Sequence, residues 1–473
     1  MRLHRDGVGT MAAPRVVIAG LSGGGGKTLV SVGVLATWRR SGHAVAAFKK
    51  GPDYIDAAWL SRAAGSPCRN LDLFLMPPDA IRRSVLASAG RGEVAVIEGN
   101  RGLFDGVNAR GTYSTAELAK LLGAPVVLLV DGTKATRTVA AVVLGCQRLD
   151  PDVTLAGVIL NRVAGGRHEA VLRESVREIC GVPVFGALPR LDHHPFPERH
   201  LGLVPPEEHT GLDAAVAEAA RIAEEHLDLA GLWEVAQRAP ALDALSAPDS
   251  APAPAAGVTV GVFRDAAFQF YYPENLEALI RAGATLVEIS PLADAALPAV
   301  DALYIGGGFP ETLAKALADN APFRASVRRA VAAGLPVYAE CGGAVFLGTD
   351  LTVDGRVYPM AAALPAAFGF GAKPQGHGYA EVETVAPNPF FDVGESHRGH
   401  EFHYTRLTSR GGEDLRFAFR VRRGYGFDGE RDGLCHQNVL ASYTHVHALG
   451  AASWAPGLVA AAVRHRAAAG AAR

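Results

Sequence analysis

Apolar, β-branched runs of four to six residues recur along the chain, separated by stretches whose apolar positions follow a helical period. Runs at 15–19, 44–48, 94–97, 126–130, 155–160 and 182–185 predict buried strands. Helical patterns lie between them, the first at 29–38. Strands alternating with helices predict a doubly wound parallel α/β sheet. A helix-like stretch at 212–237 is followed by 239–257, which is rich in Pro, Ala, Ser and Asp and reads as a linker. The α/β pattern then restarts at 258–263 and continues at 302–305, 336–339 and an alternating strand at 441–447. The expected organisation is a loose extension at 1–13, an α/β domain at 14–238, the linker, and a second α/β domain at 258–473.

The first strand runs into Gly20-Leu21-Ser22-Gly23-Gly24-Gly25-Gly26-Lys27-Thr28 and then a helix. A phosphate-binding loop requires that context. The backbone N–H groups of Gly23, Gly24, Gly25 and Gly26 would face phosphate oxygens, helped by the helix N-terminus. Lys27 would neutralise the β and γ phosphates of ATP, and the Thr28 hydroxyl would hold Mg²⁺. The loop is one residue longer than the usual form, which resembles the dethiobiotin synthetase branch of phosphate-loop proteins.

Later strand ends add polar turns, where ligands of open α/β sheets bind. The second delivers Lys49-Lys50-Gly51-Pro52-Asp53. Lys49 suits a phosphate or a substrate carboxylate, and Asp53 suits Mg²⁺. Asp56 reads as a helix N-cap. The third ends in Glu98-Gly99-Asn100-Arg101-Gly102-Leu103-Phe104-Asp105, whose Glu98 and Asp105 are hard oxygen ligands of the kind Mg²⁺ takes. Asn161, after a later strand, fits either adenine recognition or a turn. The histidine-rich stretch 191–204 is broken by prolines, so a loop near substrate is expected there rather than a metal site.

In the second half, Gly306-Gly307-Gly308 follows a strand, and Cys341-Gly342-Gly343 follows the next. A thiol at a sharp strand-to-helix turn is a nucleophile elbow or a buried cysteine. The N–H groups of Gly307, Gly308 and Gly342 would form an oxyanion hole. A base decides between the two readings. His445 and His447 share a face if 441–447 is one strand, so one would deprotonate Cys341 and the other orient its partner.

The chain has 473 residues and a net charge of −2, with 49% hydrophobic and 20% charged residues. Bulk charge therefore points to neither nucleic acid nor a membrane surface. Five scattered cysteines without metal-ligand spacing fit a reducing cytoplasm. No secretory signal or apolar run of spanning length is evident.

Taken together, GLSGGGGKT, FKKGPDYID, RNLD, EGNRGLFDG, ERHLGL, AFQFYYPENLE, IGGGFPE, AECGG, RGHEFHY and SYTHVH resemble the cobyrinic acid a,c-diamide synthase family over about residues 14–455. The second half resembles a class I glutamine amidotransferase domain. In that wider superfamily a glutamate follows the base by two positions; His447 stands there, so His445 is the expected base. The resemblance implies ATP-dependent amidation of the a and c carboxylates of a corrinoid through acyl phosphates, with nitrogen from glutamine. It implies Mg²⁺ on Thr28, Asp53 and Glu98, charge neutralisation by Lys27 and Lys49, and Tyr54 and Asp105 on the corrinoid side. A homodimer is compatible with it. The same motifs would serve hydrogenobyrinic acid or a nickel-sirohydrochlorin, whereas FYYPENLE argues against a cobyric acid synthase. A rival of another class is a phosphate-loop switch ATPase of the partitioning type, with a non-catalytic partner domain.

Overall fold

A computed structural model describes residues 9–191, 193, 195–196, 198–199, 202–203, 211–245, 256–411 and 414–471. The chain divides into two units, Met1–Ala247 and Pro248–Arg473.

In the first unit the apolar runs form a seven-stranded, wholly parallel sheet. Its order is Arg69–Leu71, Val45–Lys50, Val94–Glu98, Arg15–Gly20, Val126–Asp131, Leu155–Val163 and Val184–Pro189. Near-continuous burial along these strands is what helices on both faces produce. The glycine-rich loop leaves the central strand and enters the helix Lys27–Arg40. Register sets Lys49 beside Glu98, and Asp131 beside Asn161. The polar turns therefore gather at the carboxyl edge around the loop.

Two boundaries differ from expectation. Thr10–Met11 is not loose; it pairs antiparallel with Leu242–Asp243. Residues 239–245 are held to the first unit rather than acting as linker. Arg15 explains part of this. Its guanidinium is buried and donates to the carbonyls of Leu122 at 2.7 Å, Ala13 at 2.6 Å and Pro240 at 2.8 Å. A buried cation needs acceptors, and the chain after residue 238 supplies one. The expected helix at 212–237 is two helices, Leu212–His226 and Leu229–Gln237. Asp228 caps the second by accepting from the Gly231 N–H.

The second unit holds a ten-stranded mixed sheet. Ala284–Ile289, Val258–Phe263, Ala302–Ile305, Val337–Glu340 and Val439–Ser442 are parallel. The sheet continues antiparallel through Arg431–His436, Arg416–Arg423, Gly376–Thr384, Ser396–His403 and His445–Val446. A four-stranded sheet packs within the same unit. The expected single strand over 441–447 is broken at Tyr443-Thr444. Its first part pairs with Val337–Glu340, and His445 and Val446 pair with His400 and Gly399. Among the described residues no helix is long and apolar enough to cross a membrane.

Candidate functional site

Cys341 sits at the end of the strand Val337–Glu340 with φ 47° and ψ −102°, outside the comfortable regions for an L residue. Its N–H donates to the Ser442 carbonyl at 2.7 Å, which locks the turn to the neighbouring strand. The two glycines behind it have a steric reason. A Cβ at Gly343 would lie 2.6 Å from the Ile305 carbonyl oxygen. A Cβ at Gly342 would lie 2.9 Å from Pro310 Cδ and 3.2 Å from the Gly308 nitrogen. The elbow thus presses directly on the triple-glycine turn. That turn touches the expected base on its other side, because a Cβ at Gly307 would lie 2.6 Å from His445 Cε1. The strand Ser396–His403 closes the cluster, with the Phe402 carbonyl 4.0 Å from Cys341 Sγ. Gly342, Gly308, Gly307 and His445 therefore form a run of close neighbours that starts at the residue after Cys341.

The thiol is buried. Burial pushes its pKa well above the ordinary thiol range, and Glu311, Glu340 and Glu401 add to the rise, while the Gly342 N–H opposes it. The thiol is therefore protonated at rest and needs a base to react.

His445 and His447 face different carboxylates. The Nδ1 of His445 faces Glu340 Oε2 at 3.6 Å. His447 Nδ1 accepts from the Leu449 N–H at 3.2 Å, and its Nε2 faces Glu274 Oε2 at 3.6 Å. Neither contact joins His447 to His445, and among the described residues the buried Nε2 of His447 has no hydrogen-bond partner. Its ring lies tilted against Tyr272, one of the aromatic residues of the 264–275 loop, with centroids 4.6 Å apart. His400 stacks on His445 at 4.9 Å, and burial holds its pKa well below the usual imidazole value.

In the first unit, Lys27 Nζ donates to the Ser22 carbonyl at 2.8 Å and lies folded over its own loop. The Thr28 hydroxyl donates to Glu98 Oε1 at 2.9 Å. Lys49 Nζ bridges Glu98 at 2.7 Å and Asp56 at 2.6 Å. Burial opposes its charge, but Asp56, Glu98 and Asp53 prevail and raise its pKa. Asp56 is thus an ion-pair partner, not the N-cap. Asp53 does the capping, accepting the Asp56 N–H at 2.8 Å. Burial, then repulsion from Asp56, pushes the Asp53 carboxyl up to about 7. Asn161 donates to the Gly25 carbonyl at 2.9 Å and accepts from the Arg162 N–H at 2.8 Å. Its amide ties the loop at Gly25 to the strand end at Arg162. Asp105 accepts from the Gly102 N–H at 2.8 Å and shapes its turn, and Tyr54 precedes the helix Ile55–Ala64.

Among the described residues no group of three or more His, Cys, Asp or Glu side chains is arranged to hold a metal. Mg²⁺ asks less of the protein, taking one or two carboxylates and completing its shell with water and phosphate. Glu98 fits that demand, since its buried Oε2 has no hydrogen-bond partner and its Oε1 meets the Thr28 hydroxyl. His194 and His200 of the histidine-rich stretch lie outside the described residues.

Three contributors were not singled out from sequence: Glu340, Asp432 and Arg162. Glu340 carried a signal, a carboxylate ending an otherwise apolar strand. Asp432 and Arg162 act through partners that local periodicity does not mark, Asp432 on 442–444 and Arg162 on Gly24 and Asp131.

Residues 16–203 match the CobQ/CobB/MinD/ParA nucleotide binding domain, and residues 259–453 match the CobB/CobQ-like glutamine amidotransferase domain. Cobyrinate a,c-diamide synthase of Magnetococcus marinus is 44% identical over 451 residues, covering 94% of this chain and 96% of the relative. The enzyme of the same name from Archaeoglobus fulgidus is 42% identical, covering 93% and 95%. That from Salmonella typhimurium is 37% identical, covering 91% and 94%.

Proposed function

The chain belongs to the cobyrinate a,c-diamide synthase family, and from that premise we propose how its residues divide the work. It is a glutamine-dependent, amide-forming ligase of cobalamin biosynthesis with a nucleotide-binding domain. The switch-ATPase alternative lacks a place for an amidotransferase domain and is set aside. The substrate is cobyrinic acid, amidated at its a and c carboxylates.

In the second unit Cys341 Sγ attacks the side-chain amide carbon of glutamine. His445 accepts the thiol proton and passes it to the departing nitrogen, which leaves as ammonia. The resulting γ-glutamyl thioester is cleaved by water, with His445 taking the water proton, and glutamate leaves. The N–H groups of Gly342, Gly307 and Gly308 stabilise the oxyanion in both halves. One observation carries this assignment: the triple-glycine turn touches Gly342 on one side and the His445 ring on the other.

In the first unit a corrinoid carboxylate oxygen takes the γ-phosphoryl group of ATP, forming an acyl phosphate and ADP. Ammonia then displaces phosphate and yields the amide. The backbone of Gly23–Gly26 cradles the phosphates and Lys27 neutralises them; Lys49 contributes charge from beneath, and Tyr54 and Asp105 bound the corrinoid side. Asn161 holds the loop in shape. Thr28, Asp53 and Glu98 would hold Mg²⁺, which supplies charge neutralisation at the transferred phosphoryl group. Because carboxylate is a poor electrophile, phosphorylation supplies the leaving group.

The five free thiols support placement in the cytoplasm. A homodimer is the assembly we propose, supported by the exposed Val142 and Leu149 on the helix Thr138–Leu149. Incubation of the enzyme with ATP, Mg²⁺, glutamine and either cobyrinate or hydrogenobyrinate, read by mass, tests the main assignment. Two amides on cobyrinate are expected. Absence of any amidated cobyrinate would overturn it.

A further inference from the structure

A carboxylate taken fully out of water is costly unless it is matched by donors. Glu340 is such a group, 0% exposed, and it immediately precedes Cys341. Its Oε2 accepts from the Tyr304 hydroxyl at 3.1 Å. Its Oε1 accepts from the Tyr338 hydroxyl at 3.4 Å and from the Val446 N–H at 3.0 Å. Tyr304 is itself fixed by the Asn275 amide at 3.2 Å. Oε2 then faces His445 Nδ1 at 3.6 Å. One side chain thus faces the His445 ring and holds the backbone next to it.

The two edges of the His445 ring are used differently. Nδ1 faces Glu340, while Cε1 and Nε2 face Gly307, at 2.6 Å and 3.4 Å from where a Cβ would stand. A carboxylate at Nδ1 keeps the proton there, leaves Nε2 free to accept, and stabilises the imidazolium once it forms. His447, which stands where the wider superfamily places its glutamate, carries no carboxylate; its Nδ1 accepts from the Leu449 N–H and its Nε2 faces Glu274 at 3.6 Å.

We propose that Glu340 is the positioning residue for His445, supplying from the nucleophile's own strand the carboxylate that the His447 position lacks. This rests on Cys341 and His445 being the glutaminase pair. The chain economy is simple. Consecutive residues of a strand diverge, so Glu340 and Cys341 can approach one imidazole from different sides.

The test is glutamate release by the full-length enzyme as wild type, Glu340→Gln and Glu340→Asp, alongside amidation of cobyrinate driven by ammonium chloride. Glu340→Gln should lower kcat for glutamate release about a hundred-fold, the scale of a lost acid–base partner. Its KM for glutamine should stay within about twofold, because the substrate does not touch this residue. Glu340→Asp should recover part of kcat, and ammonium-driven amidation should match wild type in both. A wild-type kcat in Glu340→Gln would overturn the proposal. So would a loss of kcat with a matching rise in KM that Glu340→Asp does not relieve, since that pattern marks a packing role. If the wild type itself released no glutamate, the glutaminase assignment would fail first, and this inference with it.

Discussion

Asp432 holds Thr444 twice, accepting from its N–H at 3.0 Å and from its hydroxyl at 2.7 Å. The same buried carboxylate accepts from the Ser442 hydroxyl at 2.7 Å and from the N–H groups of Tyr443 at 3.0 Å and Gly433 at 2.8 Å. His445 is the residue that follows Thr444. Asp432 therefore sets the break that takes the chain from the strand beside Cys341 to the strand beside His400.

Asp432→Ala leaves several buried donors without an acceptor. A hydrogen bond to a charged group contributes about 1.5–3 kcal/mol, so a loss of roughly 3 kcal/mol or more is expected. Urea denaturation followed by tryptophan fluorescence would measure it. Glutamate release should fall with it, while ammonium-driven amidation, which uses the first unit, persists. Unchanged stability would show that the break forms without this carboxylate.

Cys341 offers a test by pH. Burial raises its pKa above that of a free thiol, so at any given pH its thiolate fraction is smaller. Without glutamine, iodoacetamide should label Cys341 more slowly than glutathione at pH 7.5, and the rate should keep climbing at pH values where glutathione has levelled off. Peptide mapping by mass would follow the site. Labelling as fast as the free thiol would mean that the pKa is not raised.

Asn161→Ala removes the amide that ties Gly25 to Arg162. A lost hydrogen bond of about 1 kcal/mol corresponds to roughly a five-fold rise in KM for ATP, with kcat for glutamate release unchanged. Initial rates at saturating glutamine and cobyrinate would measure it. A larger rise, beyond about a hundred-fold, would instead favour direct contact of Asn161 with the nucleotide.

Glu98→Gln takes one of two carboxylates from the buried Lys49 and a charged oxygen from the expected Mg²⁺ position. Amidation should drop by at least about a hundred-fold whether nitrogen comes from glutamine or ammonium. Glutamate release measured without corrinoid should be retained. Raising Mg²⁺ should restore part of the rate; no response to Mg²⁺ would count against Glu98 as a ligand.

Local patterns carried much of this protein. The parallel sheet of the first unit was legible because a strand covered on both faces must be apolar throughout, and 16–19, 94–97 and 126–130 are. Cys341-Gly342-Gly343 and Gly306-Gly307-Gly308 were legible because close backbone approach excludes a side chain, and glycine records that constraint in the sequence. Partnerships were not legible. Whether Asp56 caps a helix or pairs with Lys49, and whether His447 or Glu340 faces His445, depends on where distant segments meet. The break that separates His445 from the strand beside Cys341 was not legible either, since the alternation over 441–447 reads as one strand. A buried carboxylate from 432, itself invisible to local periodicity, bends the chain between Ser442 and His445. A buried charge takes its partners from the tertiary structure because only there do enough donors converge to offset its loss of water.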